Sequence, residues 1–172
     1  MNIGAVFEVD SRATIRNTQI TGNNVTVKSL SGDASDEGAT FTVYRSDSVL
    51  LQDSLVAGNT AFVSAVGASA TLDGAGIWNA GTLRVLNTKV VGNSGRANGS
   101  TGSARGGGVW NGTFSPGDTP PVLTLSNSFV GGNAISGSPG ITLQGGGLFT
   151  AFPVTLTNSL IKNNAPDQCF GC

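Results

Sequence analysis

The chain has 172 residues, with nine Lys or Arg and ten Asp or Glu, so its net charge is −1 and 11% of its residues are charged. The cations are spread along the chain without a basic stripe, which argues against nucleic acid as a partner. No apolar run reaches the roughly 18 residues of a membrane-spanning helix, so we expect no membrane insertion. The 26 glycines, with many Asn, Ser and Thr, favour strands and turns over helices.

One motif is written five times, in copies that begin near residues 4, 38, 74, 106 and 145. The clearest copy reads GAGIWNAGTLRVLNTKVVGN. The copies end on asparagines separated by 31 to 40 residues, namely Asn23, Asn59, Asn93, Asn133 and Asn164. Intervals of this length are typical of solenoids and propellers.

Aligning the copies produces four apolar columns. The first two are Phe7, Phe41, Ile77, Val109 and Leu148, and Ala13, Val49, Leu83, Leu123 and Val154. The other two are Ile15, Leu51, Val85, Leu125 and Leu156, and Ile20, Val56, Val90, Val130 and Ile161. The second and third columns lie two residues apart, which is the period of a strand with one face inward.

A polar column follows the third apolar one and predicts a corner in every copy. Its members are Asn17, Asp53, Asn87, Asn127 and Asn158. Asn and Asp tolerate the backbone angles of tight turns, and their side chains bond nearby backbone. Identical residues at identical strand positions favour parallel stacking over a propeller, which needs about four hairpin-linked strands per blade. We therefore predict an all-β, single-stranded, right-handed parallel β-helix of about five coils, with three short strands per coil.

The whole chain, residues 1–172, is expected to form this one domain, with a C-terminal cap over residues 165–172. The connection at residues 60–73 is small and apolar, and we expect it to lie against the solenoid as extra strand. The connection at residues 94–105, SGRANGSTGSAR, is predicted to be a mobile loop.

Two cysteines lie close together at the end of the chain, Cys169 and Cys172. A zinc site would need two more ligands, and the chain has no His. A local disulfide, an intermolecular bridge and a redox pair are all compatible with this spacing.

The units GAGIWN, GGGVWN and GGGLFT, each followed by a strand and an [IV]-x-x-N corner, resemble the β-helix repeats of bacterial secreted and cell-surface proteins. They are also similar to the repeats of chlamydial polymorphic outer-membrane proteins, although Ile or Val stands here where that family has Phe. The resemblance implies an extracellular solenoid used in surface structure or adhesion, with pectin-lyase-like enzymes as fold relatives. Such motifs carry a fold more securely than an activity.

Three aromatic residues form the sharpest candidate site, since Trp78, Trp110 and Phe149 each follow an inward residue and so should point outward on successive coils. We expect an exposed ladder of rings, with Gly76, Gly108 and Gly147 leaving space beside it. Exposed ring faces are suited to stacking on sugar rings. The alternative is that overhanging connections cover the rings and make them a second small core.

The acidic segment with Asp33, Asp36 and Glu37 is a weak candidate for a cation site, because hard cations need several oxygen ligands. It lacks the spacing of a known calcium loop, so we expect no metal and no cofactor. The chain has no His for acid–base work and no recognisable nucleophile arrangement. A polysaccharide lyase would need acidic metal ligands and a base on one face, and Arg84 and Lys89 lack acidic neighbours in the alignment.

The sequence therefore predicts a non-enzymatic, extracellular or cell-surface module with a structural or adhesive role. The expected partners are a second copy bound head to tail, forming fibres, or a surface glycan. The alternative function is a carbohydrate-binding or polysaccharide-processing β-helix that uses the aromatic ladder.

Overall fold

The computed structural model describes residues 7–9, 11–38 and 40–172. This part of the chain forms 24 strands. It contains no helix that is long and apolar enough to cross a membrane. The predicted all-β parallel solenoid is confirmed, because the strands stack on the equivalent strands of neighbouring coils in parallel register.

Each full coil contains five strands. The first coil has β1 (Phe7–Val9), β2 (Arg12–Arg16), β3 (Gln19–Thr21), β4 (Asn24–Ser29) and β5 (Ala34–Glu37). The second has β6 (Phe41–Val43), β7 (Ser48–Gln52), β8 (Leu55–Ala57), β9 (Thr60–Ala65) and β10 (Ser69–Asp73). The third has β11 (Ile77–Asn79), β12 (Thr82–Leu86), β13 (Lys89–Val91), β14 (Ser94–Asn98) and β15 (Thr101–Arg105).

The fourth coil has β16 (Val109–Asn111), β17 (Val122–Ser126), β18 (Phe129–Gly131), β19 (Ala134–Gly137) and β20 (Ile141–Gln144). The last has β21 (Leu148–Thr150), β22 (Val154–Thr157) and β23 (Leu160–Lys162), and β24 (Cys169–Phe170) follows it. Stacking produces five sheets, which we number I to V in the order in which a coil visits them. Sheet I starts with β1 and ends with β24, whereas sheets II to V start with β2 to β5 and end with β22, β23, β19 and β20.

The three strands expected in each coil are those of sheets I to III, and all four predicted apolar columns lie in register there. Their side chains form or pack against the main core, except for Phe7 and Leu156 in the first and last coils, which are 42% and 45% exposed. Sheets IV and V lie outside this three-strand pattern, and they contain the extra strand expected at residues 60–73 as β9 and β10. They pack on each other around a second core of small residues. Each full coil is therefore two-lobed.

The prediction of a mobile loop at residues 94–105 is wrong, because this segment forms β14 and β15. Each strand has parallel partners on both sides, and Ala97 and Ala104 are fully buried. The small residues allow the close approach of sheets IV and V, since a Cβ at Gly95 would lie 2.9 Å from the Leu72 side chain. A composition that is typical of a flexible linker here belongs to a thin, tightly packed lobe.

A ladder of buried asparagines runs through the solenoid at the corner that closes each motif. In a typical step, the backbone N–H and the Nδ2 of Asn59 donate to Oδ1 of Asn93, at 3.1 and 2.8 Å. The same Nδ2 donates to the Ile20 carbonyl, at 3.0 Å. The pattern repeats along the column Asn23, Asn59, Asn93, Asn133 and Asn164. It ends where the Asn164 backbone donates to Oε1 of Gln168, at 3.0 Å.

The glycines at the start of each motif leave space for this ladder. A Cβ at Gly108 would lie 2.8 Å from Nδ2 of Asn133, and a Cβ at Gly76 would lie 3.0 Å from Nδ2 of Asn93. These glycines therefore leave room for the buried asparagines. They were expected instead to leave open space beside the aromatic rings.

The corner column identified in the sequence lies outside the core. Its five members adopt the left-handed conformation, with φ between 48° and 51° at Asn17, Asp53, Asn87, Asn127 and Asn158. All five are exposed. Two side-chain hydrogen bonds join four of them in pairs, from Asn87 to Asp53 and from Asn158 to Asn127. This exposed column suits the turn geometry. The continuous buried ladder is instead the column of asparagines that ends each motif.

Residues 164–172 cover part of the last coil. Ala165 bridges to Ala134, and β24 pairs with β21. Cys169 packs against the main core and is bonded to Cys172, so the local disulfide is the alternative that the structure contains.

Replacing Asn93 by Ala should lower the free energy of unfolding by on the order of 3 kcal/mol, because the buried Asn59 amides and the Val56 carbonyl lose a partner. Urea unfolding followed by circular dichroism measures the change. Asn98→Ala is the matched control, since Asn98 is exposed in β14. Equal losses in the two variants would contradict a dominant role for the ladder.

Candidate ligand-binding cleft

The three aromatic residues predicted as a site do stack on one another along the outer side of sheet I. Trp78 and Trp110 are nearly parallel, with ring centroids 5.0 Å apart, and Phe149 lies 6.3 Å beyond Trp110. Phe170 of β24 extends the stack at 5.5 Å. The faces of the inner rings are therefore occupied by neighbouring rings.

The stack is buried, so the expectation of an exposed ladder is wrong. Trp78 is 1% exposed, Trp110 4% and Phe149 7%. The insertion after β16 covers it, because Phe114 packs edge-on against Trp78 at 6.4 Å. The rings form a third small core, which is the alternative that the sequence left open. Their faces are not available for stacking on a sugar.

An ion pair holds the covering insertion in place. Arg45 from the second coil bonds Asp118 at 2.8 Å and lies over the Phe114 ring at 5.2 Å. Asp118 also accepts from the Ser115 backbone N–H, at 2.8 Å. This backbone bond and the nearby Arg45 lower the pKa of Asp118. Asp118 is therefore ionised at neutral pH and able to pair with Arg45.

A second column of polar residues stands beside the aromatic stack. Its members end the strands of sheet V and pair across neighbouring coils, in the order Glu37, Asp73, Arg105 and Gln144. A glycine with positive φ follows each of them, at Gly38, Gly74, Gly106 and Gly145. At this turn a Cβ on Gly74 would lie 2.6 Å from the Ile77 carbonyl oxygen, so a side chain does not fit. The turn brings the outer sides of sheets V and I together at one corner.

A cleft of about 280 Å³ lies at this corner. Its lining combines the charged column with the edges of the aromatic stack and with the insertion: Glu37, Thr71, Asp73, Trp78, Arg105, Trp110, Gly112, Thr113, Phe114, Phe149 and Ala151. Polar groups around an apolar floor are typical of small-ligand sites, whose volumes start at roughly 300 Å³.

Asp73 and Arg105 form a bidentate pair in the cleft. Nε of Arg105 donates to Oδ1 of Asp73 at 2.7 Å, and Nη2 donates to Oδ2 at 2.6 Å. Burial raises the pKa of Asp73, and the guanidinium offsets part of this effect. Arg105 also lies over the Phe149 ring, at 5.1 Å. Both oxygens of Asp73 are engaged, so this carboxylate acts as a positioning group for Arg105.

Glu37 is the carboxyl group that remains available. Its Oε2 is buried without a hydrogen-bond partner. Burial raises the pKa of Glu37, and the adjacent Asp73 raises it further. The Nε1 atoms of Trp78 and Trp110 are also buried without partners. Unpaired buried polar atoms are uncommon in native proteins, and this corner contains three of them.

The weak cation candidate does not assemble. Asp33 accepts from the Ser69 backbone N–H, at 3.0 Å. Asp36 and Glu37 are adjacent in β5, so their side chains point to opposite sides of sheet V. Among the described residues, no three His, Cys, Asp or Glu side chains are grouped to hold a metal ion.

The polar column of the cleft was missed in the sequence, although a signal for it exists. In four successive motifs a polar or charged residue directly precedes the first glycine, in the pairs Glu37-Gly38, Asp73-Gly74, Arg105-Gly106 and Gln144-Gly145. Extending the alignment by one residue would have placed these side chains in one column.

The fold defines this chain as a parallel β-solenoid repeat protein with a polar and aromatic cleft at one corner of its coils. No protein-family model, no curated protein sequence and no solved structure matches it.

Glu37→Gln should change how stability depends on pH. The raised pKa means that folded Glu37 holds its proton more tightly than unfolded Glu37, so wild-type stability falls as pH rises from about 4.3 through the folded pKa. Gln cannot ionise, so the melting temperature of the wild type should fall relative to that of Glu37→Gln across this window. Asp33→Asn controls for the loss of one negative charge. Parallel wild-type and Glu37→Gln curves would contradict the prediction.

Proposed function

We propose that this chain is an adhesive module of the bacterial secreted or cell-surface type, and that it binds a carbohydrate in the cleft beside the aromatic stack. The observation that carries the proposal is the convergence of Glu37, the Asp73–Arg105 pair and two threonines on one small concave site. The disulfide is consistent with an oxidising, extracellular setting. The repeat motif supports kinship with bacterial surface β-helices and, more distantly, with pectin-lyase-like proteins.

The chemistry of the lining favours a polyhydroxylated ligand. Arg105 has five N–H donors, and Asp73 accepts two of them. Thr71 and Thr113 supply hydroxyl groups that have no hydrogen bond to another described residue. A carboxyl group, a guanidinium and two hydroxyls can bond several hydroxyl groups at once, while the ring edges contact C–H groups. Recognition through ring edges and polar groups replaces the ring-face stacking expected from the sequence.

Binding without cleavage is the activity that this arrangement supports. Hydrolysis of glycosidic bonds ordinarily uses two carboxyl groups, one as an acid and one as a base or nucleophile. Both oxygens of Asp73 are held by Arg105, so only Glu37 is placed to exchange a proton. Reaction products in the binding experiment would overturn this part of the proposal.

A glycan array followed by calorimetric titration tests the function. Wild-type protein should bind one or more glycans, and Glu37→Gln and Thr113→Ala should each weaken the best ligand by about tenfold, the effect of losing a well-placed hydrogen bond. Asp33→Asn and Thr142→Ala are matched controls, because both residues are exposed and neither lines the cleft. The absence of any ligand, or equal binding by all variants, would contradict a glycan site here.

Head-to-tail association remains a second proposal, based on the last coil. Leu156 of β22 and Leu160 of β23 are 45% and 59% exposed, and no described strand pairs with the outer edges of β22 and β23. On sheet I, however, β24 already occupies the position of a next coil. Light scattering across a concentration series should show mass growth, and Leu160→Ser should reduce it by removing exposed apolar surface. A constant monomer mass would contradict the proposal.

A further inference from the structure

The outer side of sheet II carries three exposed arginines. Ala13 and Ile15 of β2 pack on the main core, so alternation directs Arg12, Thr14 and Arg16 outward. Leu83 and Val85 of β12 are likewise inward, which directs Arg84 outward. The three arginines are exposed, and none forms an ion pair with a described residue.

The register of the sheet fixes how the three arginines are spaced. Arg84 pairs with Leu50, which pairs with Thr14, so Arg84 lies two strands from β2 and midway between Arg12 and Arg16 along it. Strand geometry puts the backbones of Arg12 and Arg16 about 13 Å apart and Arg84 about 10 Å from β2. A depression of about 230 Å³ lies between Arg12 and Arg84. Arg16 lies outside the lining of this depression, at the other end of β2, so a ligand that contacts all three arginines must extend beyond it.

The outer side of this sheet carries no carboxylate among the described residues. Between and beside the arginines it presents hydroxyl, amide and aliphatic side chains, namely Thr14, Ser48, Leu50, Gln52, Thr82 and Leu86. The nearest described carboxylates lie just beyond the two ends of β7. Asp47 is buried, and Asp53 is exposed at the corner, where it accepts from the Gln52 and Asn87 side chains. The protein has a net charge of −1, but three arginines on this face stand against one exposed carboxylate at its edge. This face is therefore locally basic on a chain that is not basic overall.

We propose that this face binds an acidic polysaccharide. Guanidinium groups bind sulfate and carboxylate groups through paired hydrogen bonds. The hydroxyl and amide side chains between the arginines are placed to bond sugar hydroxyls between the anions. The proposal does not depend on the cleft, since the residues that line the two sites do not overlap.

Nucleic acid fits this face less well. A five-stranded sheet is too wide for the major groove, which admits a helix or a two-stranded ribbon. The outward residues of sheet II include no described aromatic side chain on which bases could stack. Three cations also neutralise few phosphates compared with the contacts of a DNA-binding protein.

The test exchanges each arginine for a residue that another coil already carries in the same column. Ser48 is the partner of Arg12, Gln52 that of Arg16 and Thr124 that of Arg84, so the triple variant is R12S/R16Q/R84T. The control variant K28S/R96S/K162T follows the same rule with Ser64, Ser136 and Thr21, and it removes three exposed cations elsewhere. Both variants lose three positive charges. Each new residue already occupies the equivalent position in another coil.

Binding to dextran sulfate is measured by titration at about 50 mM salt, with uncharged dextran and duplex DNA as the other probes. Wild-type protein should bind dextran sulfate and not dextran. The arginine variant should bind at least about tenfold more weakly and the control variant within about threefold of wild type, because close charge-assisted bonds exceed the effect of net charge.

Four results would overturn the proposal. Failure of wild type to bind dextran sulfate, or equal weakening in the two triple variants, would show that sheet II has no specific anion site. Duplex DNA bound more tightly than dextran sulfate through the same arginines would make the face a nucleic-acid surface. Binding of uncharged dextran with equal affinity would exclude an ionic basis.

Discussion

The buried asparagine ladder is the interaction on which the rest of the structure depends. A solenoid corner turns backbone amides toward the interior, where an unpaired donor is expensive. Each asparagine satisfies a backbone N–H of the preceding coil through its Oδ1 and a carbonyl through its Nδ2. A second ladder does the same at the neighbouring corner, where backbone amides donate to hydroxyls along Thr18, Ser54, Thr88, Ser128 and Ser159. Coil stacking is thus fixed by polar groups as much as by the apolar columns.

The glycines around the ladder also shape the corner that contains the proposed binding cleft. Small residues are required beside the asparagines, and glycine turns are required between sheets V and I, so the coil bends sharply at that corner. The bend sets the ends of the sheet V strands against the aromatic stack and creates the cleft. Flat sheet II has no such bend, and it offers a broad face instead. Concave and flat surfaces of one solenoid therefore suit different kinds of ligand.

Much of the fold could be predicted from the sequence, because stacked coils repeat the same environment and so repeat the same residue types. The apolar columns and the corner positions are correct to the residue. What the sequence does not reveal is which polar column is buried: Asn87 and Asn93 both look like corner residues, and only the packing of the whole coil separates them. The burial of Trp78 likewise depends on Phe114, from an insertion in another coil. The polar column of the cleft is hard to recognise in the sequence because its members differ in side-chain type, with two acids, one arginine and one glutamine, and share only a position.

The direction of the ladder has a consequence for how the chain is made. Amide donors of one coil bond to the asparagine of the next, which lies later in the sequence. During synthesis from the N-terminus, each newly completed coil therefore has amide donors whose partner, the asparagine of the next coil, has not yet been translated. Gln168 ends this dependence by accepting from Asn164 within the same short segment. Until the next coil stacks on them these donors bond water, so each coil completes its internal hydrogen bonds only when the following coil has formed.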